Sequence, residues 1–302
     1  MHIHFPKAFV DPERNGVFAA LAAFLVWGLL PIFWKALASI DPLEVLFQRM
    51  LWSFVVLLLF MPATGRLGQA LKIFTMPKAL GTLALSGALL GFNWYLYIWA
   101  IANGQVIEAS LGYFITPLFN ILTGMLFFRE RPGRLGRFAI LLAICGVLFQ
   151  LASLGSLPLT ALGLSLSFGG YGLLRKVVVV EALPGLFVET LLMMPIAAAW
   201  LIWQATLGHS AFAQGNLAID ILLPLSGLIT TLPLFWFSYG ARRIRMTTLG
   251  LAQYITPSMV FLLGVFLYHE NVGPERMVTF LCIWTALALY TWENLRTQKA
   301  PA

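Results

Sequence analysis

Charged residues are scarce in this chain. Asp, Glu, Lys and Arg make up only 10% of its 302 residues, whereas 60% of the residues are hydrophobic. A soluble domain has about one quarter charged residues, because its surface must interact with water. The composition therefore excludes a soluble protein and indicates an integral membrane protein.

Cysteine and histidine, two common metal ligands, are also rare. The two cysteines and four histidines form no CxxC or Cys/His pattern typical of a metal site. The HExxH, GxSxG and P-loop motifs do not occur either. We therefore expect no metal, no other cofactor, no enzyme activity and no ATP-driven transport by this chain alone. Cys145 and Cys282 lie in apolar runs and are predicted to be buried core thiols.

The N-terminus, MHIHFPKAFVDPERNG, lacks the charged, apolar and cleavage regions of a signal peptide. The first apolar run is therefore expected to remain in the mature protein. Ten apolar runs of about 20 residues are present, each long enough to cross a bilayer as an α-helix. They are 16–38, 43–61, 79–101, 106–128, 135–154, 158–178, 184–206, 218–240, 247–268 and 274–293.

Lysine and arginine are unevenly distributed between the connections of these runs. With the N-terminus in the cytoplasm, all basic residues except Lys35, Arg49 and Arg276 belong to cytoplasmic segments. Cytoplasmic loops of membrane proteins carry an excess of Lys and Arg, so both termini are predicted to be cytoplasmic. The net charge of +7 then reflects membrane orientation, and no nucleic-acid partner is expected.

Two similar stretches lie 140 positions apart: residues 114–124 read FITPLFNILTG, and residues 254–264 read YITPSMVFLLG. They belong to the fourth and ninth runs, so the chain divides into two halves of five spans. Because five is odd, the second half enters the membrane from the opposite side, and the repeat is inverted. The predicted organisation is a tail at 1–15, two five-helix repeats at 16–154 and 155–293, and a tail at 294–302.

The inverted repeat has two interpretations. A duplicated ancestor explains the similarity without any functional meaning. Alternatively, a site between the halves is closed on one side by one half and on the other side by its counterpart, as in alternating access. Thr116-Pro117 and Thr256-Pro257 lie within the repeated stretches. Each proline is predicted to kink its span, either for packing alone or to line and gate a cavity.

Further stretches are similar to a known family. They are WGLLPIFWKAL at 27–37, EVLFQRMLWS at 44–53, NWYLYIWAIANGQVIEASLGYFITPLFN at 93–120, FGGYGLLRKV at 168–177 and GLFVET at 185–190. Together they resemble the RarD-like permeases of the drug/metabolite transporter superfamily, which have two EamA-type halves. The resemblance covers residues 16–293, and only the connection at 207–218 departs from it.

This resemblance implies a fold and a function. The fold is a basket of ten helices around a central cavity, with spans five and ten at the periphery. The function is transport of small organic molecules across the bacterial inner membrane, and RarD-like proteins are linked by name to chloramphenicol. The implied partners are a small-molecule substrate and the lipid bilayer, and a homodimer is an open alternative to a monomer.

Charges within a membrane span are costly and are therefore functional candidates. Arg49 in the second run and Glu189 in the seventh occupy equivalent places in the two halves. One interpretation is an ion pair across the interface of the halves. In the other, Arg49 holds an anionic or carbonyl group of the substrate, and Glu189 binds a proton.

Four further charged residues lie near span ends. Lys35 either extends to the membrane interface or forms a cation at the mouth of the cavity. Glu108 is predicted to cap a helix N-terminus, where a carboxylate is favoured. Arg175 and Lys176 end the sixth span and are predicted to anchor it at the cytoplasmic face.

Glu130 and Glu270 end the fourth and ninth spans, where the helix dipole disfavours a carboxylate. They are therefore predicted to pair with nearby basic groups. For Glu130 these are Arg134 or Arg137. The alternative is a latch that gates the cavity.

Polar and aromatic side chains within the spans predict a cavity wall. Asn93 and Tyr97 are four residues apart and share a helix face. Aromatic walls with a few amides and hydroxyls suit amphipathic organic ligands, although belts of Trp and Tyr at the membrane interfaces are an alternative explanation. The predicted cavity residues are Trp27, Arg49, Asn93, Trp94, Tyr97, Tyr113, Thr116, Asn120, Tyr171, Tyr239, Gln253 and Thr256.

These observations favour a secondary transporter of small organic metabolites or drugs that works by alternating access. Proton coupling through Glu189 is a hypothesis within this interpretation. The alternatives are a lipid flippase or a channel on the same architecture, and a scaffold that moves no solute. Saturable, gradient-coupled flux would distinguish a carrier from a channel.

Overall fold

The computed structural model describes residues 12–152, 158–269 and 273–299. The regular secondary structure of these ranges is helical throughout, which confirms the all-α expectation. The helices are α1 (Pro12–Ala36), α2 (Pro42–Ala63), α3 (Leu67–Ile73), α4 (Pro77–Ala102), α5 (Val106–Phe127), α6 (Arg134–Ala152), α7 (Leu159–Val177), α8 (Ala182–Thr206), α9 (Leu217–Ala241), α10 (Met246–Gln253), α11 (Ile255–Phe266) and α12 (Pro274–Lys299).

Eight helical segments in the described part of the chain are long and apolar enough to cross a membrane. They comprise α1, α2, α4, most of α5, α6, α8, α9, and the run formed by α10 and α11. α12 contributes only a shorter apolar segment, Met277–Glu293, and α7 is not apolar enough to be included. The chain is thus a multi-pass membrane protein, and its described residues contain eight candidate spans where the sequence predicts ten.

The polar residues of α7 explain its low hydropathy. Thr160, Ser165, Ser167 and Arg175 are all buried, because α7 packs against α4, α5 and α9. Ser165, for example, donates a hydrogen bond to the carbonyl of Ala161 on its own helix. These groups meet protein rather than lipid, so the helix does not need an apolar surface on every side.

The helices pack in a regular set of pairs. α1 lies against α9 and α11, and α4 lies against α7 and α8. α2 contacts both α8 and α9, α5 contacts both α7 and α10, and α6 packs against α12. At the contact of α2 with α9, Ser53 donates a hydrogen bond of 3.2 Å to the carbonyl of Gly227. The absence of a side chain at Gly227 allows this close backbone approach.

The two repeated proline positions differ in their local structure. The ninth span is divided at Tyr254, three residues before Pro257, into α10 and α11. Proline has no N–H to donate to the carbonyl four residues earlier, which accounts for an interruption at this place. α5, in contrast, continues through Pro117 as one helix.

Cys145 contradicts the prediction of buried core thiols, because it is exposed, and Cys282 is only partly buried. Cys145 lies on a face of α6 that points away from the helix bundle. In a membrane protein, apolar residues occur on lipid-facing surfaces as well as in the core. An apolar neighbourhood in the sequence therefore does not indicate burial in protein.

Candidate functional site

A cavity of about 500 Å³ lies between the helices. Its wall includes Trp27 and Trp34 from the last part of α1, Arg49 from the first part of α2, and Asn93 from the last part of α4. α5, α7, α9, α10 and α11 contribute further residues. The cavity therefore lies toward the end of the bundle at which α1 ends and α2 begins.

Most of the predicted cavity residues do line this space. The nine that do so are Trp27, Arg49, Asn93, Trp94, Tyr97, Tyr113, Thr116, Gln253 and Thr256. The sequence pattern missed Trp34 and Phe168, which are also part of the wall. Trp34 follows Trp27 by two helical turns, so their shared face of α1 was a signal that could have identified it.

Three predicted cavity residues lie elsewhere. Tyr171 is fully buried in the core, where its ring stacks on Phe237 with centroids 5.8 Å apart. Asn120 is also fully buried, and its side-chain amide donates a 2.7 Å hydrogen bond to the Oε1 of Gln253. Tyr239 lines a separate groove between α1 and α9. Tyr171 and Asn120 therefore belong to helix packing, and Tyr239 lies outside the cavity wall.

Several polar side chains in the wall already have partners on the helices. Asn93 donates hydrogen bonds to the carbonyl of Leu164 and the hydroxyl of Ser167, at 2.9 and 3.0 Å. Thr116 donates to the carbonyl of Gly112 on its own helix. Thr256 donates to the carbonyl of Phe24 on α1. The bonds of Thr116 and Thr256 satisfy hydroxyls next to the two prolines, and together these bonds help to fix the shape of the cavity.

Arg49 differs from these residues in its surroundings. Its guanidinium carbon lies 4.2 Å from the ring centroid of Trp94 and 5.6 Å from that of Trp34. Its Nε is buried and has no hydrogen-bond partner among the described residues. Of the two interpretations of Arg49 and Glu189, the ion pair between them is contradicted, because Glu189 forms its salt bridge with another residue.

The partner of Glu189 is Arg175, whose Nη1 lies 3.4 Å from the Oε1 of Glu189. Both side chains are completely buried. Ser86 donates a hydrogen bond to the same carboxylate oxygen, and Arg175 donates to the hydroxyl of Ser238 at 3.1 Å and to the carbonyl of Ala182 at 2.9 Å. We refer to Ser86, Arg175, Glu189 and Ser238 as the buried charge cluster.

The buried charge cluster corrects the expectation that Arg175 anchors α7 at the membrane surface. The last turn of α7 directs this side chain into the contact of α4, α8 and α9. Lys176 is partly buried, and its ammonium donates to the carbonyls of Ala241, the last residue of α9, and Ile244, in the connection that follows. A cation near the C-terminus of a helix is favoured by the unpaired carbonyls there. Basic residues at the end of a span can therefore join helices to one another rather than mark the cytoplasmic side of the membrane.

Glu130 does not form the predicted ion pair with Arg134 or Arg137. Its carboxylate instead accepts hydrogen bonds of 2.7 and 2.8 Å from the backbone N–H groups of Met246 and Thr247. These are the first amides of α10, so Glu130 caps that helix from the end of α5. A carboxylate is stabilised there by the unpaired N–H groups and the helix dipole.

The remaining charged candidates have different outcomes. The Nζ of Lys35 lies 4.0 Å from the ring centroid of Tyr268, and Lys35 is exposed. Glu270 lies outside the described residues. Glu108 belongs to α5, but its side chain lies outside the described part of the chain.

The connection at 207–218, which the family resemblance left unexplained, folds against the start of α2. The backbone N–H of Ala211 donates a 2.7 Å hydrogen bond to the Oε1 of Glu44, and the hydroxyl of Ser210 donates to the same atom. Phe212 packs edge-to-face on Trp52, with centroids 5.8 Å apart. This connection therefore covers buried Glu44 at the end of the bundle nearest the cavity.

Known proteins are similar to this chain along most of its length. The EamA-like transporter family matches residues 14–152. Protein RarD from Salmonella typhi is 45% identical over 286 residues, which cover 95% of this chain and 97% of that protein. An uncharacterized transporter, YojE, from Bacillus subtilis is 37% identical, over 95% of this chain and 97% of that protein.

Two further similarities extend the comparison. The chloramphenicol-sensitive protein RarD from Pseudomonas aeruginosa is 32% identical, over 95% of this chain and 97% of that protein. A solved crystal structure superposes with a TM-score of 0.71 at 16% identity, and the match covers 93% of this chain and 98% of that chain. At that identity the superposition supports the fold alone. The identity to RarD proteins along nearly the whole chain shows that this protein belongs to the RarD-like group of the EamA drug/metabolite transporters.

Proposed function

We propose that this protein is a secondary active transporter that moves small organic metabolites or drugs across the bacterial inner membrane by alternating access. The observation that carries the proposal is the central cavity of about 500 Å³. This volume falls within the range of about 300–1,000 Å³ that is usual for small-molecule sites. Aromatic rings with a few polar groups form its wall, as expected of a site for amphipathic compounds.

The proposed architecture is ten spans in two inverted halves, at 16–154 and 155–293. The packing pairs support it. If each span is replaced by its counterpart in the other half, α1 corresponds to α7 and α9 to α4, so the contact of α1 with α9 becomes that of α4 with α7. It also converts the contact of α5 with α7 into that of α1 with α10 and α11. Arg129 and His269, 140 positions apart, both adopt positive φ angles, of 52° and 54°. Equivalent backbone geometry at equivalent positions is expected of a repeat.

The proposed orientation places both termini in the cytoplasm, following the distribution of basic residues. The cavity then faces the outside of the cell, because it lies toward the end of the bundle where α1 ends. The opposite end holds the buried charge cluster and the Glu130 cap of α10. In this proposal, the structure is an outward-facing state whose cytoplasmic side is closed.

Closing the cavity and opening the cytoplasmic side would require the halves to move relative to each other. The division between α10 and α11 at Tyr254 is a suitable place for such a movement, since the helix hydrogen bonding is interrupted there. Glu130 joins α5 in one half to α10 in the other through two hydrogen bonds. These bonds are the proposed latch on the cytoplasmic side.

Glu189 is the proposed coupling group for protons. Its Oε1 is engaged by Ser86 and Arg175, whereas its Oε2 is buried and has no hydrogen-bond partner among the described residues. Protonation would supply a donor at this carboxyl group and remove its attraction for Arg175. Because the cluster joins α4, α7, α8 and α9, loss of this attraction would loosen the closed cytoplasmic end.

The test is uptake by purified protein in proteoliposomes with an imposed pH gradient. The vesicles are offered a mixture of amino acids, organic acids and amphenicol-type drugs, and the contents are measured by mass spectrometry. We expect gradient-dependent accumulation of one class of compound. Glu189→Gln should equilibrate the same compound without accumulating it, because the substituted side chain cannot exchange a proton.

The control variant is Lys78→Gln, which removes an exposed charge at the start of α4, far from the cavity along the helix. It should accumulate the compound as the unmodified protein does. Rapid flux that does not saturate and ignores the gradient would favour a channel, and movement of fluorescent phospholipids alone would favour a flippase. Full gradient dependence in Glu189→Gln would refute the assignment of the coupling group.

A further inference from the structure

Arg49 is the only charged residue among the described residues that line the cavity. These described wall residues include no Asp or Glu, so none of them balances the positive charge of Arg49. The guanidinium carbon lies over the rings of Trp94 and Trp34, at 4.2 and 5.6 Å from their centroids. A cation–π contact stabilises the charge but leaves the donors in the plane of the guanidinium available.

No hydrogen bond or salt bridge joins the Arg49 side chain to another described residue, although its Nε is buried. An arginine has five N–H donors and remains charged at any physiological pH. Leaving such donors unpaired within a membrane protein is costly unless water or a ligand satisfies them. Asn93, Thr116 and Thr256 in the same wall have no such need, because they bond to the helices.

The surroundings of Arg49 combine this charge with a large apolar surface. Tyr97 and Tyr113, whose rings meet edge-to-face with centroids 6.1 Å apart, line the cavity with Trp94. Trp27 contacts Phe168 in the same wall, with centroids 5.5 Å apart. A ligand that fits this wall would have an aromatic or branched apolar body beside one charged end.

We propose that the transported substrate is an organic anion, with its acidic group bound by Arg49 and its apolar body against the aromatic wall. The inference rests on the proposed transport function and names its substrate class. A planar guanidinium binds a carboxylate through two parallel hydrogen bonds, and it binds sulfonate and phosphate oxygens in a similar way. An amine would be repelled by Arg49, and the described wall has no carboxylate to attract it.

Binding is measured with the full chain in nanodiscs, independently of transport. The probes are 4-phenylbutyrate, 4-phenylbutyramide and 4-phenylbutylamine, with phenylalkyl acids of other lengths and the matching sulfonates and phosphates. The readouts are tryptophan fluorescence, to which Trp34 and Trp94 next to Arg49 should contribute, and ligand-induced thermal stabilisation. We expect the acids to bind at least about 10-fold more tightly than the amide or amine of the same length, as for one charge-assisted pair.

The variants distinguish loss of the Arg49 charge from a general effect on the fold. Arg49→Gln should bind acid and amide equally, and Arg49→Lys should keep part of the preference, because its ammonium lacks the two-point geometry. Lys78→Gln should keep all of it. The proposal is overturned if the amide or amine binds as tightly as the acid throughout the series, if the preference persists in Arg49→Gln, or if no acid binds at any length.

The binding and uptake experiments distinguish failure of the anion site from failure of the transport function. A preference for acids that depends on Arg49, without gradient-driven uptake of any acid, would support the anion site and contradict the transport function. Gradient-driven uptake of a neutral or cationic compound that is unchanged in Arg49→Gln would support the transport function and reject the anion site.

Discussion

The buried pair of Arg175 and Glu189 provides a sharp test of the energetics of this structure. Both side chains are completely buried, and they approach to 3.4 Å. Removing one member of a buried pair leaves the other charge without compensation, which costs about 3–5 kcal/mol. We therefore expect Glu189→Met and Arg175→Met each to lower the free energy of unfolding by about that amount.

The loss of stability in the double variant should differ from the sum of the losses in the two single variants. Replacing both charges with apolar side chains of similar volume removes the desolvation penalty together with the attraction. It also removes the charge-assisted bonds of Arg175 to Ser238 and Ala182, each worth about 1.5–3 kcal/mol. We expect the double variant to lose less stability than the sum of the two single losses, because neither charge is left buried without its partner.

The assay is reversible unfolding of the purified protein in mixed micelles, with a double-mutant cycle over the three variants. Glu189→Gln serves as the variant that removes the charge but nearly keeps the volume. Single-variant losses below about 1 kcal/mol, the value of an exposed pair, would refute the assignment of a buried ion pair. Additive losses would show that the two residues do not interact.

Three further predictions concern helix contacts, each measured by the same unfolding assay. Gly227→Ala would place a methyl carbon 2.4 Å from the backbone of Trp52 and should cost about 1–3 kcal/mol, whereas Gly81→Ala, with no atom within 4 Å, should stabilise by about 0.5–1 kcal/mol. An equal effect of the two would contradict the α2–α9 contact. A double-mutant cycle between Asn120 and Gln253 should give a coupling of about 0.6–1.7 kcal/mol, and zero coupling would argue against their hydrogen bond. Glu130→Ala should lower the free energy of unfolding by about 1–2 kcal/mol through loss of the α10 cap, and Glu130→Gln should lower it less. If Glu130 acted through an ion pair, the two variants would lose equal stability, because both remove the charge.

Arg49 shows which features of the site could be predicted from the sequence and which could not. Its isolation within an apolar run made it a functional candidate, because a charge within a membrane span is costly. Its equivalence to Glu189 suggested a direct pair, but positions related by a repeat are not thereby in contact. Arg175, at the end of a neighbouring span, reaches Glu189 instead.

The cavity wall was predictable in part for a similar reason. Asn93 and Tyr97 are one helical turn apart, so their shared face followed from helix geometry alone. Which face of each helix meets the cavity, another helix or lipid depends on the packing of neighbours. Tyr171 therefore lies in the core, Cys145 is exposed, and Trp34 was not anticipated as part of the wall.

The sequence by itself determined that this protein is helical and lies in a membrane, because composition and the length of apolar runs depend only on local residues. It also determined the family and the repeated proline motif. The tertiary structure decided the partners of the charges: Glu189 with Arg175, Glu130 with the first amides of α10, and Arg49 with two tryptophans. These contacts join residues distant in the chain, and in an interior without water the energy of each charge is decided by what packs against it.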